Sequence, residues 1–167
     1  GQLVPELADS YEMSEDGMTY TFTMKDGLKW SDGEALDAND VLYSWNRLAD
    51  ENTAADYSYL CSVFATKDDG TLDIEASEDG KTFTAHLNAP CAYFLDLCAF
   101  PAFYPVPQQA VEAADGADTN PGAWALEAGF VGSGPFVLTE WKHNESMTYE
   151  PNPNYWAADK VSLTKIN

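Results

Sequence analysis

Two stretches of the chain share one design: SEDGMTYTFTM at residues 14–24 and SEDGKTFTAHL at residues 77–87. In each, an Asp-Gly pair supplies a tight turn, because glycine reaches positive φ without steric cost. An alternating run follows. Tyr20, Phe22 and Met24 alternate with Thr21, Thr23 and Lys25 in the first copy, and Phe83, Ala85 and Leu87 share one face in the second. This period of two marks a strand with one buried face. Residues 10–13 and 72–76 read as the partner strands, so the chain is expected to build two hairpins of one antiparallel sheet with at least four strands. Convergence on a good Asp-Gly turn explains the likeness more simply than duplication does.

Between the hairpins the period changes. Lys25-Asp26-Gly27 reads as a turn, residues 28–30 as a second short strand, and Ser31-Asp32-Gly33 as another turn. Asp37 and Asn39 are N-cap residue types, and Asp40 stands where first-turn N–H groups and the helix dipole favour negative charge. Val41, Leu42, Trp45, Leu48 and Ala49 then form one apolar stripe of an amphipathic helix. Trp30 and Trp45 are the heaviest anchors of this unit of hairpin, turn and helix. Residues 51–66 read as a loop leading into a short helix. Asn88-Ala89-Pro90 signals a helix over residues 92–100, and Pro101, Pro105 and Pro107 separate it from another over 107–114. Composition marks residues 116–134, rich in Gly, Asp, Asn and Ala around Trp124, as a boundary. Strands are expected again at 136–141, 147–150 and 161–166, with an Asn152-Pro153 turn before the last. The fold class is α+β, an antiparallel sheet of hairpins with short packed helices.

Charge excludes whole classes of partner. With 28 acidic against 8 basic residues the net charge is −20, and nucleic acids and anionic membranes both require a basic footprint. Solubility, or a saline or extracellular habitat, accounts for the acid excess; attraction of cationic ligands is the functional alternative. Carboxylate pairs carry no information in so acidic a chain. No nucleophile elbow, phosphate-binding loop, dinucleotide fingerprint or zinc-helix motif is present, so an enzyme is not expected. Gly132-Ser133-Gly134-Pro135 lacks the lysine of a phosphate loop and reads as a bend entering a strand. His86 and His143 stand alone, so no metal or cofactor is expected. Three cysteines cannot all pair; Cys91 and Cys98, seven apart in the expected helix, would be about 10 Å apart, so any bridge would use Cys61.

Aromatic residues make up 13% of the chain, and most fall at periodic, core-type positions. Those that escape periodicity lie on irregular segments: Tyr57 and Tyr59 after Asn52-Thr53-Ala54, and Phe100, Phe103 and Tyr104 in FPAFYPVP. Loops carried on a rigid sheet are where binding residues concentrate. We take Tyr57, Tyr59, Phe100 and Phe103 as candidate ligand contacts.

The run GLKWSDGEALDANDVLYSWNRL at residues 27–48 resembles the early signature of the oligopeptide and dipeptide class of extracellular solute-binding proteins, which deliver ligands to ABC importers. LVPELADSY at 3–11, VGSGPFVLTEW at 131–141 and YEPNPNYW at 149–156 resemble further stretches of that family, in order and spacing. The resemblance implies a two-lobed, periplasmic-binding-protein-like architecture. Residues 1–108 would be its small insert-like domain and 109–167 the middle segment of its first lobe. Members of the family are longer, so the chain would lack an N-terminal region and the second lobe. The implied function is capture of an oligopeptide, or another small solute, by hinge closure and delivery to a membrane permease. The implied location is extracytoplasmic, lipid-anchored in the full-length protein. By the same resemblance Tyr57 faces the cleft and Phe100 runs close to it. A secreted structural or adhesion module with an aromatic protein-binding surface is the alternative.

Overall fold

The computed structural model describes residues 2–167. Its first strands are β1 (Ala8–Met13) and β2 (Thr19–Met24), joined by the first SEDG turn, and β3 (Ile74–Ala76) and β4 (Thr82–His86), joined by the second. All four belong to one antiparallel sheet in the order β1-β2-β4-β3. The central pairing sets Tyr20 opposite Ala85 and Phe22 opposite Phe83. Because side chains alternate across a strand, this register puts Tyr20, Phe83, Ala85 and Ile74 on one buried face. β1 is an edge strand, and its pairing slips at a bulge between Ala8 and Ser10.

Helix α1 (Ala38–Ala49) covers the apolar face of this sheet. Its start is a capping box: Asp37 accepts from the Asn39 N–H at 2.7 Å, and the Asp37 N–H donates to the Asp40 carboxylate at 2.9 Å. Two of the unpaired N–H groups at the helix start are thereby satisfied. Val41, Trp45 and Leu48 of the predicted stripe are buried, with Ala38 buried ahead of them, while Leu42 and Ala49 are half-buried. Trp45 meets Phe83 edge-on with ring centroids 4.8 Å apart and lies 5.2 Å from Phe64 and 5.4 Å from Phe103. Its indole N–H donates to the Phe103 carbonyl at 2.9 Å, which removes the cost of burying that polar edge.

Two compact units divide the chain: one runs to Asp26 and resumes over Asp37–Val106, and the other combines Gly27–Leu36 with Pro107–Asn167. The stretch read as one unit of hairpin and helix is therefore split, with its first strand and α1 in the first unit and residues 27–36 in the second. Residues 28–30 are also not a strand. They fold back on residues 34–36 around Gly33 (φ 93) and make a single bridge, Lys29 to Ala35. The glycine-rich segment 116–134 lies inside the second unit. Its composition reflects local turns, such as the bonds from the Thr119 and Asn120 N–H groups to the Gly116 carbonyl.

Helix α2 (Phe94–Cys98) is shorter than the sequence suggested. Residues 91–94 form a tighter turn, closed by the Phe94 N–H on the Cys91 carbonyl at 3.2 Å, so Cys91 and Tyr93 precede the helix. Cys61, Cys91 and Cys98 are all free thiols.

The second unit contains α3 (Gln108–Ala113) and the hairpin of β5 (Phe136–Lys142) and β6 (Ser146–Pro151). The expected last strand is reduced to one bridge, Tyr149 to Ile166. Asn152 explains why the Gly-Ser-Gly-Pro and Asn-Pro stretches belong together. It is 1% exposed, donates through Nδ2 to the Gly134 carbonyl at 2.9 Å, and accepts the Asn154 N–H at 2.9 Å. Its own N–H donates to the Pro135 carbonyl, and the Ser31 N–H to the Gly132 carbonyl at 2.8 Å. The Gly132–Pro135 bend is thus a strand entry clamped by a buried amide.

Candidate functional site

Where α1 ends, Asp50 accepts from the Asn52 N–H at 2.9 Å and opens a 3-10 turn, Glu51–Thr53. Ala54 closes that turn in the left-handed region (φ 50), a conformation that costs a residue with a Cβ about 1–2 kcal/mol. The chain is redirected there, and Tyr57 follows. A second 3-10 turn, Ser58–Val63, is fastened to the sheet by the buried Cys61 and by Asn88, whose Nδ2 donates to the Ser62 carbonyl at 2.7 Å. The Asn88 N–H adds a bond to the Val63 carbonyl.

The other candidate segment is anchored from α1. The Trp45 indole holds the Phe103 carbonyl, and Ser44 Oγ, itself bonded to the Asp40 carbonyl, accepts the Val106 N–H at 2.7 Å. Ala99 caps the end of α2, and Phe100 opens the 3-10 turn Pro101–Phe103 that follows. The Tyr104 hydroxyl ties back to the Ala99 carbonyl at 3.1 Å.

These two segments bring three of the four candidate rings together. Tyr57 meets Phe100 edge-on, with centroids 5.0 Å apart and planes at 78°. Tyr59 lies 6.3 Å from Tyr57. Tyr57 is 47% exposed and Tyr59 65%, while Phe100 is half-buried. The result is an aromatic ledge of two exposed tyrosines and one half-buried phenylalanine. Phe103 has a different place. At 2% exposure it packs on Trp45 and Phe64 in the core, because the turn that presents Phe100 outward directs Phe103 inward. It supports the ledge without facing solvent. Tyr93, counted with the apolar helix in the sequence, is 56% exposed; the shortening of α2 leaves it outside the helical stripe, which no local signal announced.

Burial pushes the Cys61 thiol up to about 11 and the Cys98 thiol up to about 12, so both remain protonated near neutrality and neither is an activated nucleophile. Among the described residues no group of three or more His, Cys, Asp or Glu side chains is placed to hold a metal ion.

Residues 2–167 match the family described as bacterial extracellular solute-binding proteins, family 5 Middle. The oligopeptide-binding protein OppA of Bacillus subtilis is 38% identical across 96% of this chain and 30% of its own length. The periplasmic OppA of Salmonella typhimurium is 36% identical across 99% of this chain and 31% of its own. Among solved structures, an oligopeptide ABC transporter substrate-binding domain from Bacillus anthracis superposes with a TM-score of 0.87 at 34% identity, covering 98% of this chain and 32% of that one. Haemophilus influenzae OppA, in complex with RPPGFSPFR, gives 0.84 at 30% identity, covering 99% of this chain and 33% of that one. The chain therefore spans about a third of the length of the relatives it matches, and it belongs to family 5 of the bacterial extracellular solute-binding proteins.

Proposed function

We propose that this chain forms part of the substrate-binding component of an ABC importer, which captures oligopeptides outside the cytoplasm and delivers them to a membrane permease. The observation that carries the proposal is the ledge of Tyr57, Tyr59 and Phe100, exposed on irregular segments that a sheet and α1 hold in place. The Bacillus subtilis and Salmonella relatives are named as oligopeptide-binding, and the Haemophilus influenzae structure is a complex with the peptide RPPGFSPFR. In this reading residues 1–108 are the small insert-like domain and 109–167 the middle segment of the first lobe. The protein closes by hinge motion on its ligand and is held at the membrane by a lipid anchor. The ligand backbone is held extended by strand-like hydrogen bonds, and the ledge packs against a side chain. The protein binds and does not catalyse. The relatives reported above are named as peptide binders or as importer components, which leaves the adhesion alternative without support.

Calorimetry on the full-length protein with a pool of tri- to pentapeptides tests this. Tyr57→Ala is expected to weaken binding by about 1–2 kcal/mol. This chain alone offers one side of a cleft and is expected to bind no tighter than about 1 mM, equivalent to about −4 kcal/mol. Micromolar binding by the chain alone would replace the two-lobed clamp with a compact binding module.

A further inference from the structure

The segments that carry the aromatic ledge bear charge of one sign. Its two segments carry Glu51, Asp56 and Asp96, all exposed, and residues 48–66 and 82–141 contain neither lysine nor arginine. The unit that bears the ledge has eighteen carboxylates against four basic side chains, a net charge of −14. Three of those bases have their partners within the unit, and the fourth, Arg47, stands in the last turn of α1 and is not free either. Lys25 donates to the Ala8 carbonyl at 2.8 Å and pairs with Asp9 at 3.2 Å, Lys81 pairs with Asp26 at 3.2 Å, and Lys67 donates to the Ile74 carbonyl at 2.9 Å.

Resting on the peptide-binding reading above, we infer that the Tyr57–Tyr59–Phe100 ledge receives a cationic side chain, lysine or arginine, of the bound peptide. The faces of aromatic rings carry negative charge density and attract an ammonium or guanidinium placed over them. Tyr57 and Tyr59 leave large parts of their rings open, and no basic residue of either ledge segment competes for those faces. Asp56 precedes Tyr57 directly and Asp96 lies four residues before Phe100, so each ledge segment carries a carboxylate close to its ring along the chain. A leucine side chain would gain apolar burial on the same rings but nothing from the field. A glutamate would meet the π faces and the surrounding carboxylates with like charge. Solubility explains why the chain as a whole is acidic; it does not explain why Tyr57 and Tyr59 stand exposed on segments without a basic residue.

The test uses the full-length protein and a pentaalanine scaffold carrying one lysine, leucine or glutamate at each position in turn, titrated by calorimetry. At one position lysine is expected to bind about three- to tenfold more tightly than leucine, the range of a partly exposed cation–π contact with a neighbouring carboxylate, and glutamate more weakly than both. Raising the salt to about 0.5 M should narrow the lysine-to-leucine ratio, because exposed charges are screened. Asp56→Asn combined with Asp96→Asn, both at exposed positions, should narrow it at low salt as well. Leucine equal to or better than lysine at every position overturns the inference and leaves peptide binding intact. A lysine preference untouched by Tyr57→Ala and by the double aspartate variant places the cation elsewhere and overturns it too. Silence from all the peptides would remove both the preference and the peptide-binding reading beneath it.

Discussion

At the turns of the two SEDG hairpins the same bonds recur. Ser14 Oγ donates to Asp16 and Ser77 Oγ to Asp79, and the Thr19 and Thr82 N–H groups return to those serine hydroxyls at 2.9 Å each. Gly17 and Gly80 both take φ 70. Beyond the turns the likeness ends. A Cβ on Gly17 would meet only the Pro90 side chain, at 3.6 Å, whereas one on Gly80 would fall 2.5–3.0 Å from the Asp37 side chain. The Gly80 carbonyl also accepts the Ala38 N–H at 2.9 Å. The second turn is therefore built into the start of α1, and its strand carries Phe83 directly under Trp45. The first hairpin ends in an edge strand with Tyr11 and Met13 half in water. One local motif serves twice, once as a free turn and once as a joint, and only the neighbours differ.

The contrast should be largest in the strands. Trp45→Ala empties the joint between α1 and the second hairpin and is expected to cost about 3–5 kcal/mol. Tyr11→Ala, on the exposed edge of the first hairpin, should cost under about 1 kcal/mol. Chemical denaturation of both variants measures the difference; equal losses would mean that the edge contributes as much as the joint.

A smaller difference is expected at the turns. Gly17→Ala should destabilise by about 1 kcal/mol from the positive φ alone. Gly80→Ala adds displacement of the Asp37 cap, itself worth about 1 kcal/mol, for a total of about 2 kcal/mol. Should the two variants melt alike, Asp37 moves aside freely and the second turn is no joint.

The smallest effect concerns what the hairpins share. The serine hydroxyl beside each carboxylate, helped by the Met18 or Lys81 N–H, holds Asp16 and Asp79 below the ordinary aspartate range. A lowered folded pKa contributes stability that is present above the unfolded value and lost as pH falls through the folded one, here below about 4. Both turns should therefore loosen together in acid. Ser77→Ala should raise the titration of Asp79 toward the ordinary range in carboxyl NMR and leave Asp16 where it was; movement of both would couple two turns that the structure shows as separate networks.

Much of the fold was legible because its causes are local. The Asp-Gly turns, the alternation after each and the acidic cap of α1 are set by residues a few positions apart, and the four-stranded sheet follows from them. The same reasoning erred where local signals were weak. Pro90 suggested a full helix, yet residues 91–93 close a tighter turn, and α2 keeps only Phe94–Cys98. Residues 161–166 alternate like a strand but find one pairing site, at Tyr149. In the candidate site, aperiodicity selected four aromatic rings without distinguishing the outward from the inward ones.

What the sequence by itself determined is the two Asp-Gly hairpins, the cap and stripe of α1, the acidic character and the family, since each depends on residue type and short spacing. Tertiary structure decided the rest. Phe103 is a core residue because the Trp45 indole, 58 positions earlier, bonds its carbonyl. Tyr57 gains Phe100 as a neighbour because α1 and the sheet hold two distant segments side by side. Gly80 tolerates no side chain because Asp37 stands against it, while Gly17, in the same words of sequence, faces open space but for Pro90. Burial and contact are sums over neighbours that the chain brings together only when folded, and no local spacing encodes them.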